Sequence, residues 1–430
     1  MSILLHDFKM IRSTKHFFSH TNPGKISVLT EILQEYKRIS QLYINHIWTS
    51  KFENLGNVTF DISNDLLNLP KYLNYNDIKV NTTLSARLQS TALNQALGII
   101  RGRIAIRSKL VWIINKRKSE GLSVDYYEKK LAKNILTKPI LNDNFSMELN
   151  SMNIDFKESN GYFNLFMRLK SSGFNKINLP IKFHKQDKKW FSKSGSKRLA
   201  GVLISNKCLQ LRYDIPDPVK KTTGKIVGGD TGYKTLLTLS DGQATPGHDK
   251  DGHSLDSICT KLSRKKKGSV NFEQAQRHRT NFINWSINQL NLEDIKQINL
   301  EEVVNIFYKR PTSKKLARWT NADIERKILS KAIESGVHTQ LQPSTYRSQR
   351  CSGCGIVRKS NRRGKIYECK FCGLSIDADL NGALNHEIEL PPLPYDIRQM
   401  KLNISGFRWN PEGIFNLSGE ELTMPQANKR

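Results

Sequence analysis

The chain changes its hydrophobic rhythm twice. After Pro23 and Gly24, apolar residues fall at Ile26, Leu29, Leu33, Tyr36, Tyr43 and Ile47, the spacing of one helix face. A second helical stretch runs from about Ala86 to Lys116, with Leu88, Ala92, Ala96, Ile100 and Ile104 four apart on one side. Arg87, Arg101, Arg103, Arg107, Lys109, Lys116 and Arg117 are expected on its remaining surface. Near residue 142 the period drops to two. Phe145, Met147 and Leu149 alternate with polar residues. So do Phe163 to Leu169 and Ile177 to Phe183, and Val202, Ile204, Leu209, Leu211 and Tyr213 follow. Short strands between Gly, Asn and Lys turns predict a small β-barrel or sandwich. Aromatics among lysines, as in Lys189-Trp190-Phe191, suit base stacking beside phosphates or an ordinary core. A linker from Asp214 to Lys225 leads into a third region.

In that region apolar strands end on carboxylates. Ile226-Val227-Gly228-Gly229 runs into Asp230, and Ile298-Asn299-Leu300 runs into Glu301 and Glu302. Ser240-Asp241-Gly242 reads as a hairpin turn. Farther on, Asp377-Ala378-Asp379 opens a helix-like run, with Asp377 placed to cap it and Asp379 in the first turn. Each acidic residue alone fits a surface turn or cap. Together, three separated carboxylates can form a two-metal site for phosphodiester chemistry, and hard Mg²⁺ prefers such oxygen ligands.

Between the second and third carboxylates stand Cys351-Ser-Gly-Cys354 and Cys369-Lys-Phe-Cys372, each pair followed by glycine. Paired knuckles let four thiolates converge on Zn²⁺ and fill its tetrahedral shell, which makes the role structural. Cys208 and Cys259 are read as unpaired.

Charge then narrows the partners. Lys and Arg number 68 against 39 Asp and Glu, a formal net charge of +29. A field of that sign attracts polyanions, nucleic acid first and an anionic membrane surface second. No apolar run approaches the roughly 18 residues of a membrane span, and the N-terminus lacks a secretory signal pattern. An intracellular, cytoplasmic protein, nucleoid-associated through nucleic acid, is expected, without a membrane partner.

The order of these motifs resembles TnpB, the transposon-associated nuclease, and the related miniature type V CRISPR effectors. The likeness rests on Gly228-Gly229-Asp230-Thr231-Gly232, Glu301-Glu302-Val303, Arg347-Ser348-Gln349-Arg350-Cys351 and Asp377 to Asn385, with Trp319 through Ala332 ahead of the ribbon. It is strong over about residues 220–390. Gly229, Arg347 and Gly382 depart from that family's usual apolar residue, threonine and alanine.

The resemblance implies a multidomain α+β chain: an N-terminal β-barrel (wedge) domain with an inserted helical recognition lobe, then an RNase H-like (RuvC) α/β domain interrupted by a four-cysteine zinc ribbon. The expected boundaries are 1–22 and 142–222 for the barrel, 23–141 for the helical domain, and 223–348 and 375–390 for the RuvC-like domain. The ribbon is expected at 349–374, followed by a C-terminal tail at 391–430 that could be a disordered extension or an RNA-contacting arm. Asp230, Glu301 and Asp379 are implied as the catalytic, magnesium-binding carboxylates, and Cys351, Cys354, Cys369 and Cys372 as the zinc ligands. The partners implied are a guide RNA and double-stranded target DNA bearing a short adjacent motif. The implied activity is RNA-guided DNA cleavage. A nuclease-inactive guided repressor, a CRISPR effector and a strand-transfer enzyme are the alternatives.

Overall fold

A computed structural model describes residues 10–48, 75–170, 177–302 and 318–422 apart from a few positions within them, together with residue 315. Val303, and the parts of the expected barrel and tail at 1–9 and 423–430, lie outside the described residues. The chain divides into two compact units, Met1–Pro216 and Asp217–Arg430.

In the first unit the two predicted helices are present, α1 over Pro23–Trp48 and α2 over Ala86–Ser119, and they pack together. Leu88, Ala92, Ala96, Ile100 and Ile104 are all buried, as their spacing requires. Arg107 and Arg117, expected on the surface, are buried too. Arg117 donates from Nε to the Ser123 carbonyl at 2.7 Å and lies over the Tyr127 ring of α3 (Asp125–Leu136).

The strands form two sheets. The larger runs β1 (Met10–Phe17), β8 (Cys208–Ile215), β7 (Val202–Ile204), β2 (Met147–Leu149), with β6 (Lys197–Arg198) also on β8. The smaller is the meander β3 (Ile154–Glu158), β4 (Leu165–Leu169), β5 (Ile177–Ile181). This corrects the expected barrel. Among the described residues β1 and β2 end the larger sheet unpaired with each other, so no hydrogen-bonded ladder closes into a cylinder. The aromatic-lysine stretch is a short helix, α4 (Lys185–Phe191), in which Trp190 is buried and Phe191 exposed.

In the second unit a four-stranded sheet runs β10 (Thr238–Leu239), β9 (Lys225–Asp230), β11 (Ile295–Glu302), β12 (His338–Pro343). β9 is antiparallel to β10 and parallel to β11, which is parallel to β12. Alternation along the strands sorts side chains between two faces. Val227, Ile298 and Leu300 share a core with Leu237, Leu239 and residues of α5 (Leu255–Ser263), α6 (Val270–Asn288) and α7 (Asn321–Glu334). The other face takes α8 (Ala378–Glu387). There the backbones nearly touch, since a Cβ on Gly228 would stand 1.9 Å from the Ala383 carbonyl oxygen and 2.3 Å from the Glu387 nitrogen. Gly229 is filled from the opposite face, with Leu300 and Leu237 methyls 2.9 and 3.0 Å from its would-be Cβ. That packing accounts for glycine where the resembling family has an apolar residue.

Before α8 the chain forms a small module. β14 (Arg362–Arg363), β15 (Ile366–Glu368) and β16 (Ser375–Asp377) make one sheet. β13 (Ile356–Val357) pairs instead with β17 (Phe407–Asn410), which pairs with β18 (Gly413–Phe415). The described C-terminal stretch is therefore folded. Phe407, Trp409 and Ile414 bury against Val357 and Ile397.

Candidate active site and metal centre

Sheet register sets up the first cluster. Leu300 lies opposite Gly229 on parallel strands, so the following residues, Glu301 and Asp230, end adjacent strands side by side. By alternation Gly228 and Asp230 on β9, and Asn299 and Glu301 on β11, face α8. Asn299 donates from Nδ2 to the Glu387 carbonyl at 3.3 Å, consistent with that placement. On α8, Asp379, Gly382 and His386 share one helix face at positions i, i+3 and i+7. Gly382 leaves space for Asp230: a Cβ there would stand 2.9 Å from the Asp230 Cγ and Oδ2. The departure from alanine thus sits directly on the candidate site.

Asp377 begins the helix as its sequence position predicts. Its Oδ1 accepts the N–H groups of Asp379 and Leu380 at 2.9 and 3.1 Å. That leaves the Asp379 carboxylate for other partners, Arg362 Nη2 at 3.2 Å and Lys365 Nζ. Both cations come from the hairpin between the cysteine pairs. Thr231 donates from Oγ1 to Glu301 Oε2 at 3.2 Å.

Electrostatics tie the carboxylates together. Burial, then the Glu301 and Asp379 charges, push the Asp230 carboxyl up to about 8, against weaker opposition from Arg362 and Lys365. Burial also raises Glu301, with Thr231 and Ser344 hydrogen bonds and Arg362 pulling it down. The four cysteine sulfurs gather within 4.8 Å of one another.

Those sulfurs are the second cluster. Cys351 and Cys372 Sγ are 3.6 Å apart, as are Cys354 and Cys369. Zn–S bonds of about 2.3 Å in a tetrahedron put sulfurs about 3.8 Å apart, so the donor set fits Zn²⁺. Each knuckle closes alike, the Gly355 N–H on the Cys351 carbonyl and the Gly373 N–H on the Cys369 carbonyl, both at 2.9 Å. The two glycines have φ of +77° and +78°, which side chains rarely adopt. Burial pushes the Cys351 and Cys354 thiols up, so metal binding there must release protons.

The two clusters share a mount. Asn381 and Asn385, one turn apart on α8, donate from Nδ2 to the Arg350 carbonyl at 2.8 and 2.7 Å. Asn381 Oδ1 also accepts the Ser352 N–H at 3.0 Å. Arg350 returns a bond to Asn385 Oδ1 at 2.6 Å. Arg347 donates to the Asn385 and Ile388 carbonyls, capping the C-terminus of α8. The entrance to the cysteine module is thus fastened to the helix that carries Asp379. The signal lay in the Asn-x-x-x-Asn spacing, and in Arg362 and Lys365 among the basic residues between the cysteine pairs.

Parts of the chain are similar to known proteins. Residues 322–386 match the family model described as Cas12f1-like, TNB domain. The CRISPR-associated endodeoxyribonuclease Cas12f1 of Sulfoacidibacillus thermotolerans is 31% identical over 137 residues, covering 32% of this chain and 32% of the relative. The putative RNA-guided DNA endonuclease InsQ of Escherichia coli (strain K12) is 25% identical over 237 residues, covering 46% of this chain and 59% of the relative. The chain therefore spans less than two thirds of either relative's length. A cryo-EM structure of a Cas12f1–sgRNA–target DNA complex aligns with 88% of this chain and 99% of its own, at a TM-score of 0.44 and 13% identity. Among the described residues no helix is long and apolar enough to cross a membrane. Residues 322–386 thus match a Cas12f1-like TNB domain, and the chain is homologous over part of its length to Cas12f1 and to InsQ.

Proposed function

We propose that this chain is an RNA-guided DNA endonuclease whose cutting site is formed by Asp230, Glu301 and Asp379. The observation that carries the reading is the meeting of three charge-coupled carboxylates, Asp379 buried and Asp230 and Glu301 half-buried, from two strand ends and a helix start. It is supported by similarity to relatives named as endonucleases. The three carboxylates would hold Mg²⁺, and sites of this chemistry commonly hold two ions about 3.5–4 Å apart. Such ions, when bound, supply Lewis-acid charge to the phosphodiester and to its attacking water.

The chain's own residues prepare that site. Burial and two like charges leave Asp230 short of compensating positive charge, so it holds a proton or a cation strongly. Thr231 fixes the Glu301 carboxylate. Arg362 and Lys365 orient Asp379 and bring positive charge to where a phosphate would approach. Cys351, Cys354, Cys369 and Cys372 would hold Zn²⁺ structurally, keeping the Arg362–Lys365 hairpin rigid against α8.

The partners proposed are a guide RNA and double-stranded DNA. The +29 charge supplies phosphate affinity, while base pairing and a short adjacent motif select the target. The test is to purify the protein with its RNA, replace the guide segment, and map the cuts on a matching duplex. Cuts should move with the guide. Cutting indifferent to the guide contradicts the reading.

A further inference from the structure

Three groups of His, Cys, Asp and Glu among the described residues bring ligand atoms within 4.8 Å of one another. One is the four-cysteine set. The second, His16, His184 and Asp187, is spoken for: the fully buried Asp187 carboxylate accepts from Thr14, Tyr213 and His16 at 2.5, 2.9 and 3.1 Å, and from the His184 N–H at 3.0 Å. These are ordinary hydrogen bonds that use its lone pairs.

The third group, Asp249, His253 and His278, differs. Asp249 opens a tight loop closed by Gly252 at φ +76°. Its Oδ1 accepts the backbone N–H groups of Asp251 and His253 at 3.0 and 2.8 Å, which fixes the carboxylate. Oδ2 points to His278 Nε2, on α6, at 3.6 Å, and His253 Nδ1 lies 3.4 Å from Oδ1. Both contacts are longer than the usual 2.7–3.2 Å hydrogen bond. Ligand atoms sharing a tetrahedral ion with bonds near 2.05 Å stand about 3.3 Å apart, and one ligand atom from each of Asp249, His253 and His278 lies within 4.8 Å of the others. The imidazole rings meet edge to face at 89° and 4.9 Å, so they do not stack flat and block each other's nitrogens. The side chains are partly exposed, giving an ion a way in.

We infer that Asp249, His253 and His278 form a further metal site, selective for a borderline divalent transition ion of the zinc class. Two imidazoles and one oriented carboxylate are a donor set for zinc or cobalt and a poor one for Mg²⁺, which keeps oxygen ligands. The backbone N–H groups on Oδ1 act as outer supports that hold the ligand in place. A bound ion would staple the 249–253 loop to α6, independently of the proposed nuclease site.

The experiment uses the full chain with its cysteine site already loaded with Zn²⁺ and with Mg²⁺ in excess to occupy the carboxylates, titrated with Co²⁺. The expected result is about one further equivalent, with d–d absorption of a nitrogen–oxygen site and no thiolate-to-cobalt band. His278→Ala and His253→Ala should each weaken that binding by more than about tenfold, the range reached even by losing an outer support. Asp230→Asn should leave it in place. Added Zn²⁺ should raise the unfolding midpoint of the zinc-loaded wild type but not of folded His278→Ala. The inference is overturned if the only cobalt signal is thiolate-type, or if the added equivalent survives His278→Ala and disappears with Asp230→Asn.

Discussion

The four cysteines and the three carboxylates lie in the same unit but are built on opposite plans. The sulfurs come from two knuckles within residues 351–372 and gather tightly through local turns, each ending on a positive-φ glycine. The carboxylates come from residues 230, 301 and 379 and meet only once a parallel sheet and a packed helix have formed. Cations from the cysteine hairpin face Asp379, so the local cluster helps assemble the distant one. The comparison sets a thiol cluster encoded in spacing against a carboxylate cluster encoded in topology.

Breaking the local cluster should have the largest effect. Cys369→Ser should remove about one zinc by elemental analysis. Structural zinc contributes on the order of 10 kcal/mol in small ribbons, so the module should unfold and amides over 351–377 should lose exchange protection. Unchanged zinc content would separate the cysteines from any metal role.

Breaking the topology without touching a ligand should come next. Gly228→Ala places a methyl group into the α8 backbone at Ala383, His386 and Glu387. It should destabilise by about 3 kcal/mol or more, since backbone cannot move aside as a rotamer can. A thermal melt within a degree of wild type would show that α8 does not sit so closely on β9.

A pH titration sharpens the contrast through Asp230. Its folded value near 8 lies above the ordinary 3.8, so the folded state holds a proton that the unfolded chain has released. Without divalent ions, stability should therefore fall as pH rises from about 4 to about 8, and level off above. Mg²⁺ should offset the loss by favouring the ionised form. Asp230→Asn should flatten the slope in denaturant melts across this range. A slope unchanged in that variant would assign it elsewhere.

Gly382→Ala should have the smallest effect on stability. Alanine gains up to about 1 kcal/mol of helix propensity, offset by the contact with the movable Asp230 carboxylate. The expected outcome is a melt close to wild type with cleavage reduced, because Asp230 must turn away. Full activity would show that its position is not critical.

Much of this was readable in the residues. Period-four and period-two patterns located α1, α2, β4, β5 and β8, because burial on one face enforces them. Asp377 was readable as a cap. The open sheets were not, since alternation specifies a buried face but not whether the last strand meets the first. Arg117 misled because a basic residue beside a basic stripe looks exposed until a neighbouring helix, here α3, covers it. Arg347 read as a departure, yet its guanidinium satisfies helix-end carbonyls that have no partner along the helix. The order of the proline-containing C-terminal stretch was hidden because its strands pair with β13, some fifty residues earlier.

The most direct measurement of the central claim compares cutting with binding when one carboxylate is removed. Wild type and Asp379→Ala, each loaded with the same guide RNA, are assayed with matching duplex in Mg²⁺. Cleavage is read on a gel and affinity by filter binding. Three carboxylates acting as one site predict that Asp379→Ala loses cleavage while guided binding stays near wild type, because recognition rests on base pairing and basic surface. Asp230→Ala and Glu301→Gln should behave alike, while Asp377→Ala should keep measurable cutting. Cleavage by Asp379→Ala at the wild-type rate would contradict the account.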